Sequence, residues 1–221
     1  MKILVATDFH GREEAVKHTA EKAIAIKAEY IIVCGDFTHF GPVEQAEEFL
    51  GILAKTGLPV LFIPGNCDDP ELARSRIAGT SCIHGSFMAI DDIYFFGIGG
   101  GAPDPFRTSF ELTEEEIQDL LEKAYQSASN PKHLVLVTHL PPRNTKVDVT
   151  RGGRHIGSKS VRMFVEKRKP ILVLCGHVHE SSGVDKIGKT TVVNPGPAAQ
   201  GFCAIVNLDQ HSMSAQLISL G

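Results

Sequence analysis

Short apolar runs alternate with amphipathic stretches through the first third of the chain. Residues 2–7 (KILVAT), 30–34 (YIIVC) and 59–63 (PVLFI) are continuous, aliphatic and branched, which predicts buried strands. Between them, residues 13–28 bring Val16, Ala20, Ala23 and Ile24 to one face at helical spacing. Residues 43–55 do the same with Phe49, Ile52 and Leu53. Strand, helix, strand, helix, strand predicts parallel pairing through right-handed crossovers.

The rhythm then changes. Residues 86–98 predict two short strands that turn at Asp91-Asp92, and 99–111 a Gly/Pro loop. Thr113 and Glu116 have the spacing of a capping box, with Leu112 and Ile117 placed as a hydrophobic staple. The helix they open runs to about Ser127, with Leu120, Leu121 and Ala124 inward. Residues 133–138 (HLVLVT) and 171–175 (ILVLC) predict two more buried strands. They enclose a long polar loop at 140–157 and a helix at 158–168, whose end carries Lys167, Arg168 and Lys169, cations suited to the helix dipole. The tail predicts strands near 190–193, 202–208 and 213–219, close enough in sequence to pair antiparallel. Two sheets flanked by helices, in a single domain over 1–221, accommodate the whole pattern.

Composition narrows the classes. No apolar run approaches the roughly 18 residues of a membrane span, and acid and histidine by residue 10 argue against a secretory signal. A net charge of −4 argues against a surface given over to nucleic acid. Five scattered cysteines without a CxxC pair make neither a disulfide framework nor a zinc finger, and fit a reducing, cytoplasmic setting. Cys34 and Cys175, each before a glycine, read as small buried residues. Gly97, Gly99 and Ala102 match a dinucleotide fingerprint, but Pro103 and Pro105 forbid the helix that motif needs.

The ten histidines matter through their positions. Five predicted strands end in polar, potentially ligating residues: Asp8-Phe9-His10, Gly35-Asp36, Gly65-Asn66, Thr138-His139 and Gly176-His177-Val178-His179. Functional groups gather at strand carboxyl ends in open α/β sheets. Any one of these residues alone is a turn former or a solvated side chain; the ordered set is the signal. Oxygen and imidazole donors without thiolate suit hydrolytic metals. One carboxylate can bridge two cations at about 3.5–4 Å, and such a pair acidifies water and neutralises phosphoryl oxygens.

The motifs D-x-H, G-D, G-N-x-D, H and G-H-x-H, in this order over residues 4–196, resemble the calcineurin-like metallophosphoesterases. GIGGGAPDPF (97–106), VLCGHVHES (173–181) and VNPGPAAQG (193–201) are similar to the Icc-related phosphoesterases of prokaryotes. The resemblance implies a four-layer α/β/β/α sandwich with two mixed β-sheets and a metal site at the strand C-terminal ends. It implies that Asp8, His10, Asp36 and His179 hold one divalent ion. Asp36, Asn66, His139 and His177 would hold a second, with Asp36 as the bridge and Asn66 also touching the substrate phosphate. Manganese leads the expected metals, with iron, zinc, cobalt and nickel as alternatives. The implied activity is hydrolysis of phosphate esters, foremost phosphodiesters, by attack of metal-bound hydroxide on phosphorus. A phosphomonoesterase or nucleotide pyrophosphatase on the same site is the alternative within the class, and a non-catalytic binding scaffold is the alternative outside it. The expected partner is a small phosphate ester such as a nucleotide, with no membrane or nucleic acid; a homo-oligomer is compatible.

Two departures bear on catalysis. Where many members read G-N-H-D or G-N-H-E, with a histidine thought to protonate the leaving group, this chain has Cys67, a poor acid. Where others read G-D-x-x-D, it has His39, a candidate either for the missing acid or for orienting the loop. The expectation is an enzyme that prefers good leaving groups. Residues 143–162 add six cations against Asp148, and Arg143, Arg151 and Arg154 are candidates for binding substrate phosphate.

Overall fold

The computed structural model describes residues 1–103, 107–129, 131–209 and 212–221. Residues 104–106 of the expected Gly/Pro loop, and His211, lie outside the described residues. In chain order the elements begin with β1 (Lys2–Ala6), α1 (Glu13–Ala25), β2 (Tyr30–Val33), α2 (Val43–Ala54), β3 (Val60–Phe62) and β4 (Thr80–Cys82). Then come β5 (Phe87–Ile90), β6 (Ile93–Ile98), α3 (Glu114–Ser127), β7 (His133–Thr138), α4 (Lys159–Arg168) and β8 (Leu172–Leu174). The chain ends with β9 (Gly183–Ile187), β10 (Thr190–Asn194), β11 (Phe202–Leu208) and β12 (Met213–Ser219).

Two mixed six-stranded sheets form, in the orders β12-β11-β1-β2-β3-β4 and β5-β6-β7-β8-β10-β9. Strands β1 to β4 are parallel, as are β6, β7, β8 and β10. Side chains along a strand alternate between faces, and this sorts the core into layers. Leu4, Ala6, Ile31, Val33 and Phe62 pack under α1 and α2. Their neighbours Ile3, Val5, Ile32 and Leu61 meet Phe95, Val135, Val137, Leu172 and Leu174 of the other sheet. Phe96, Leu134, Leu136 and Val173 face α3 and α4. The result is a four-layer α/β/β/α sandwich. Each fully buried Leu, Ile or Phe contributes roughly 1.5–3 kcal/mol of transfer free energy, so the three apolar layers dominate its stability.

Local signals hold where they were strongest. The Thr113 hydroxyl accepts from the Glu116 amide while Glu116 accepts from the Thr113 amide, closing the capping box at the start of α3. The cations ending α4 do more than face its dipole. Lys167 and Arg168 reach Glu122 on α3 at 2.8 and 2.5 Å, and the Arg168 guanidinium lies 3.8 Å over the Tyr125 ring.

Three features differ from the sequence reading. Strands β4 (TSC) and β9 (GVDKI) were not anticipated, because neither has an apolar run. The expected antiparallel tail holds for β11–β12, whereas β10 joins the other sheet, antiparallel to β9 and parallel to β8. Burial explains the placement: every residue of β10 is buried, whereas β9 is at most half-buried throughout. The fully buried strand takes the inner position, and its half-exposed neighbour takes the edge.

Candidate metal centre

The carboxyl ends of β1, β2, β3, β7 and β8 meet at one pole, and their loops are joined by backbone hydrogen bonds. The Asp8 amide donates to the Gly35 carbonyl oxygen at 2.9 Å, His10 to Asp36 at 3.0 Å, and Gly176 to His139 at 3.1 Å. Two glycines permit the close approach. Gly35 has φ +98°, and a Cβ there would stand 2.6 Å from Gly65 Cα and 2.8 Å from His139 Nδ1. A Cβ on Gly176 would stand 2.0 Å from Thr7 Oγ1, where the two sheets touch. Asp8, His10, Asp36 and His177 all have positive φ, between 46° and 68°. Such conformations cost a non-glycine residue about 1–3 kcal/mol each and cluster at functional sites.

All seven expected ligands come together, in two groups. In the first, His10 Nε2 lies 2.9 Å from His179 Nε2, 3.7 Å from Asp8 Oδ1 and 3.7 Å from Asp36 Oδ2. In the second, Asn66 Oδ1 lies 2.9 Å from both His139 Nε2 and His177 Nδ1, and His139 Nε2 is 3.5 Å from Asp36 Oδ2. Asp36 Oδ2 therefore faces both groups, while its Oδ1 accepts from the Cys67 amide at 2.8 Å.

The residues fit a cation. Asp8 Oδ1, buried, has no hydrogen-bond partner; His179 Nε2 is 3.4 Å away, an electrostatic contact rather than a hydrogen bond. His10 Nδ1 is likewise buried and unpartnered. An orphaned carboxylate oxygen next to a second carboxylate is costly without positive charge. The pKa shifts show the same demand. Burial opposes a charge on His139, yet Asp36 and Asp8 override it and hold the ring up to about 9. Burial likewise works against the Asp36 carboxylate, but His139, His10 and the Cys67 amide hold its pKa well down. Burial, joined by His139, pushes His177 down to about 4. Asp8, His10 and His179, and separately Asp8, Asp36 and His139, offer ligand atoms within 4.8 Å of one another.

The other candidates divide. His39 and Cys67 do reach the centre: with His10 they place ligand atoms within 4.8 Å. His39 is exposed, its ring 5.4 Å from that of His10. Cys67 is buried, and burial and then Asp36 push its thiol well up in the metal-free chain. Exposed Arg151 is brought to the rim, since its amide donates to Glu180, the residue after His179. Among the described residues, no hydrogen bond ties Arg143 or Arg154 to the ligands. Of the other cations in 143–162, Lys159 and Arg162 belong to α4, and Arg162 pairs with Glu166 at 2.7 Å.

Sequence reasoning gave no role to two buried carboxylates. Asp68 accepts from the amides of Phe37, Thr38 and Gly65 and from the Thr38 hydroxyl, tying the Asp36 loop to the Asn66 loop. Burial, then Asp36, pushes its pKa up to about 6. The D in G-N-x-D was its only signal. Asp148 organises the 140–157 segment in the same way, accepting from Asn144, Thr145, Gly157 and, at 2.7 Å, His155. No helix or strand forms over that segment, as expected of a loop, but Val147 and Asp148 within it are wholly buried.

Comparison with known proteins agrees with this arrangement. A family model described as calcineurin-like phosphoesterase matches residues 1–181. The uncharacterized protein MJ1162 of Methanocaldococcus jannaschii is 40% identical over 202 residues, covering 89% of this chain and 88% of its own. Among solved structures, TT1561 of Thermus thermophilus aligns with TM-score 0.76 at 20% identity, covering 100% of this chain and 99% of that one. A dimetal phosphatase from Danio rerio aligns with TM-score 0.71 at 10% identity, covering 100% and 96%. At these identities the two structures speak for the fold, while the family model and the archaeal relative carry membership. The chain belongs to the calcineurin-like phosphoesterase family.

Proposed function

We propose that this chain, as a single domain over 1–221, is a dinuclear metal-dependent phosphodiesterase. The observation that carries the reading is Asp36 Oδ2, which faces His10 on one side and His139 on the other. Asp8, His10, Asp36 and His179 would hold one divalent ion, and Asp36, Asn66, His139 and His177 the other, with manganese first among candidates for oxygen-and-imidazole donors. Bound there, the ions would supply an acidified water and neutralise charge on the phosphoryl oxygens.

The chain's own groups then position and exclude. Backbone strain and the Asp68 hydrogen bonds hold the donors in place before substrate arrives. Asn66, at the meeting of two rings, is placed to touch a substrate oxygen, and Arg151 at the rim to attract its charge. Leaving-group chemistry favours diesters. Monoester transfer passes through a loose transition state with bond breaking far advanced, so protonating the leaving oxygen matters most there. Cys67, its thiol pushed up by burial and then by Asp36, gives little help of that kind. His39 is the remaining acid candidate, since its ring neighbours His10. The five free cysteines support a reducing, cytoplasmic setting; none of the described helices is long and apolar enough to cross a membrane.

The test is elemental analysis combined with turnover of bis-p-nitrophenyl phosphate and p-nitrophenyl phosphate in added manganese. Two ions per chain with faster diester hydrolysis is the expected result. Two ions with no ester hydrolysed would instead mark a binding scaffold.

A further inference from the structure

Phe40 stands apart from the other aromatic residues near the centre. Phe9 and Phe37 are wholly buried, but Phe40 is 52% exposed. Its backbone has φ 61°, a conformation that is an outlier for a bulky residue and that glycine would adopt without strain. The strained backbone is fixed: the Phe40 amide donates to the Cys67 carbonyl oxygen at 3.1 Å, which ties it to the loop that carries Asn66. Its ring lies 4.8 Å from His39, His39 lies 5.4 Å from His10, and His10 lies 4.8 Å from His179. A run of edge-to-face and tilted rings thus leads from the metal ligands outward to an exposed phenyl group.

Singly exposed apolar side chains are ordinary on a protein surface. Ile24 and Met163, on helices α1 and α4, are examples. Phe40 differs in being held against strain, in a turn fastened to the loop that carries Asn66, with its ring against that of His39, the proposed acid. A polar turn residue would satisfy the same backbone at lower cost.

We infer that Phe40, its ring beside and tilted to that of His39, is a specificity-determining stacking platform for a planar aromatic group on the substrate, a nucleobase being the fitting biological example. The inference rests on the phosphoesterase reading and names the substituent that the site selects. Stacking on an aromatic side chain tolerates any base, because every base has a π-face. The platform would therefore favour nucleoside phosphates over sugar phosphates without choosing among bases.

Adenosine 5′-monophosphate and ribose 5-phosphate share the phosphate and the sugar and differ by the base. Each is run as a competitive inhibitor of bis-p-nitrophenyl phosphate turnover by the manganese-loaded protein. The expected inhibition constant is about tenfold lower for the adenosine compound, and Phe40→Ala should close that gap chiefly by weakening the adenosine compound. The natural chain has no tryptophan, so Phe40→Trp places a single fluorophore on the platform. The adenosine compound should quench it saturably and ribose 5-phosphate should not. Equal inhibition by the two compounds, or a gap that survives in Phe40→Ala, overturns the proposal. If no ester is hydrolysed, the phosphoesterase reading fails separately and the quenching titration decides: selective quenching upholds the platform, and equal responses overturn it.

Discussion

His139 donates its Nδ1 proton to the Cys34 carbonyl oxygen at 2.8 Å. A carbonyl oxygen can only accept, so the bond fixes the ring and turns Nε2 toward Asn66 and Asp36. Such a partner commonly orients a metal-bound imidazole. His139→Gln should therefore lose one of the two ions and lower diester turnover by at least 10–100-fold. Metal content by elemental analysis checks this; an unchanged content would remove His139 from the ligand set.

Metal uptake should compete with protons. In the metal-free protein the carboxylates hold His139 up to about 9, so at pH 7 the ring carries a proton that a metal must displace. Affinity for manganese should rise as pH goes from 6 to 9, by up to about tenfold per unit. Calorimetric titration in buffers of different ionisation enthalpy should register proton release. Affinity independent of pH, with no proton released, would contradict the assignment.

Much of the centre was legible because each ligand follows an apolar strand. Residues 2–7, 30–34, 133–138 and 171–175 announce buried strands, and Asp8, Asp36, His139 and His177 stand just past them. What sequence could not convey were contacts made across loops. Asp68 reads as one more turn acid, although its oxygens hold Phe37, Thr38 and Gly65. His84 gave no signal either, because its value lies in a bond to Gly99, fifteen residues away. One edge of each sheet was hidden for a different reason: β4 is three half-buried residues and β9 alternates, so neither has the continuous apolar pattern of an inner strand.

Asp68 offers a measure of how far the centre depends on its support. Asp68→Ala leaves three buried amides, of Phe37, Thr38 and Gly65, without their acceptor, while the Thr38 hydroxyl keeps the Cys67 carbonyl oxygen; a lost partner costs about 1–3 kcal/mol per unsatisfied group. The Ala variant should lose at least about 3 kcal/mol of stability and bind metal poorly. Asp68→Asn keeps one acceptor oxygen and should lose about half as much. Urea unfolding of both variants checks the order; equal losses would mean that the hydrogen bonds are not the cause.

Cys67 sets the expected preference for good leaving groups. Its thiol is pushed well up by burial and then by Asp36, so it gives up a proton reluctantly. Cys67→His should raise turnover of alkyl diesters relative to p-nitrophenyl diesters, within the 10²–10⁴-fold range of general acid catalysis. The ratio of the two rates is the readout. A ratio that stays put would show that the leaving group needs no acid at this position.

The last prediction concerns acid stability and lies away from the ligands. His84 Nδ1 accepts from the Gly99 amide at 2.9 Å, and its ring packs at 5.2 Å against Phe110. The same glycine loop returns to the centre, since the Phe110 amide donates to the Asn66 carbonyl oxygen at 3.1 Å. Burial pushes His84 down to about 4 from the usual 6.5. The unfolded chain thus binds the proton more readily than the folded one between those values. The sign follows: the contribution is full above about pH 6.5 and is lost as pH falls toward 4, to a total of about 3 kcal/mol. His84→Asn keeps an acceptor for Gly99 but does not titrate. Urea unfolding with chelator present, at pH 7.5 and pH 4.5, should show the natural chain losing more stability than the variant over this interval. If both lose the same, His84 is not the titrating group and the loop is held by its backbone bonds alone.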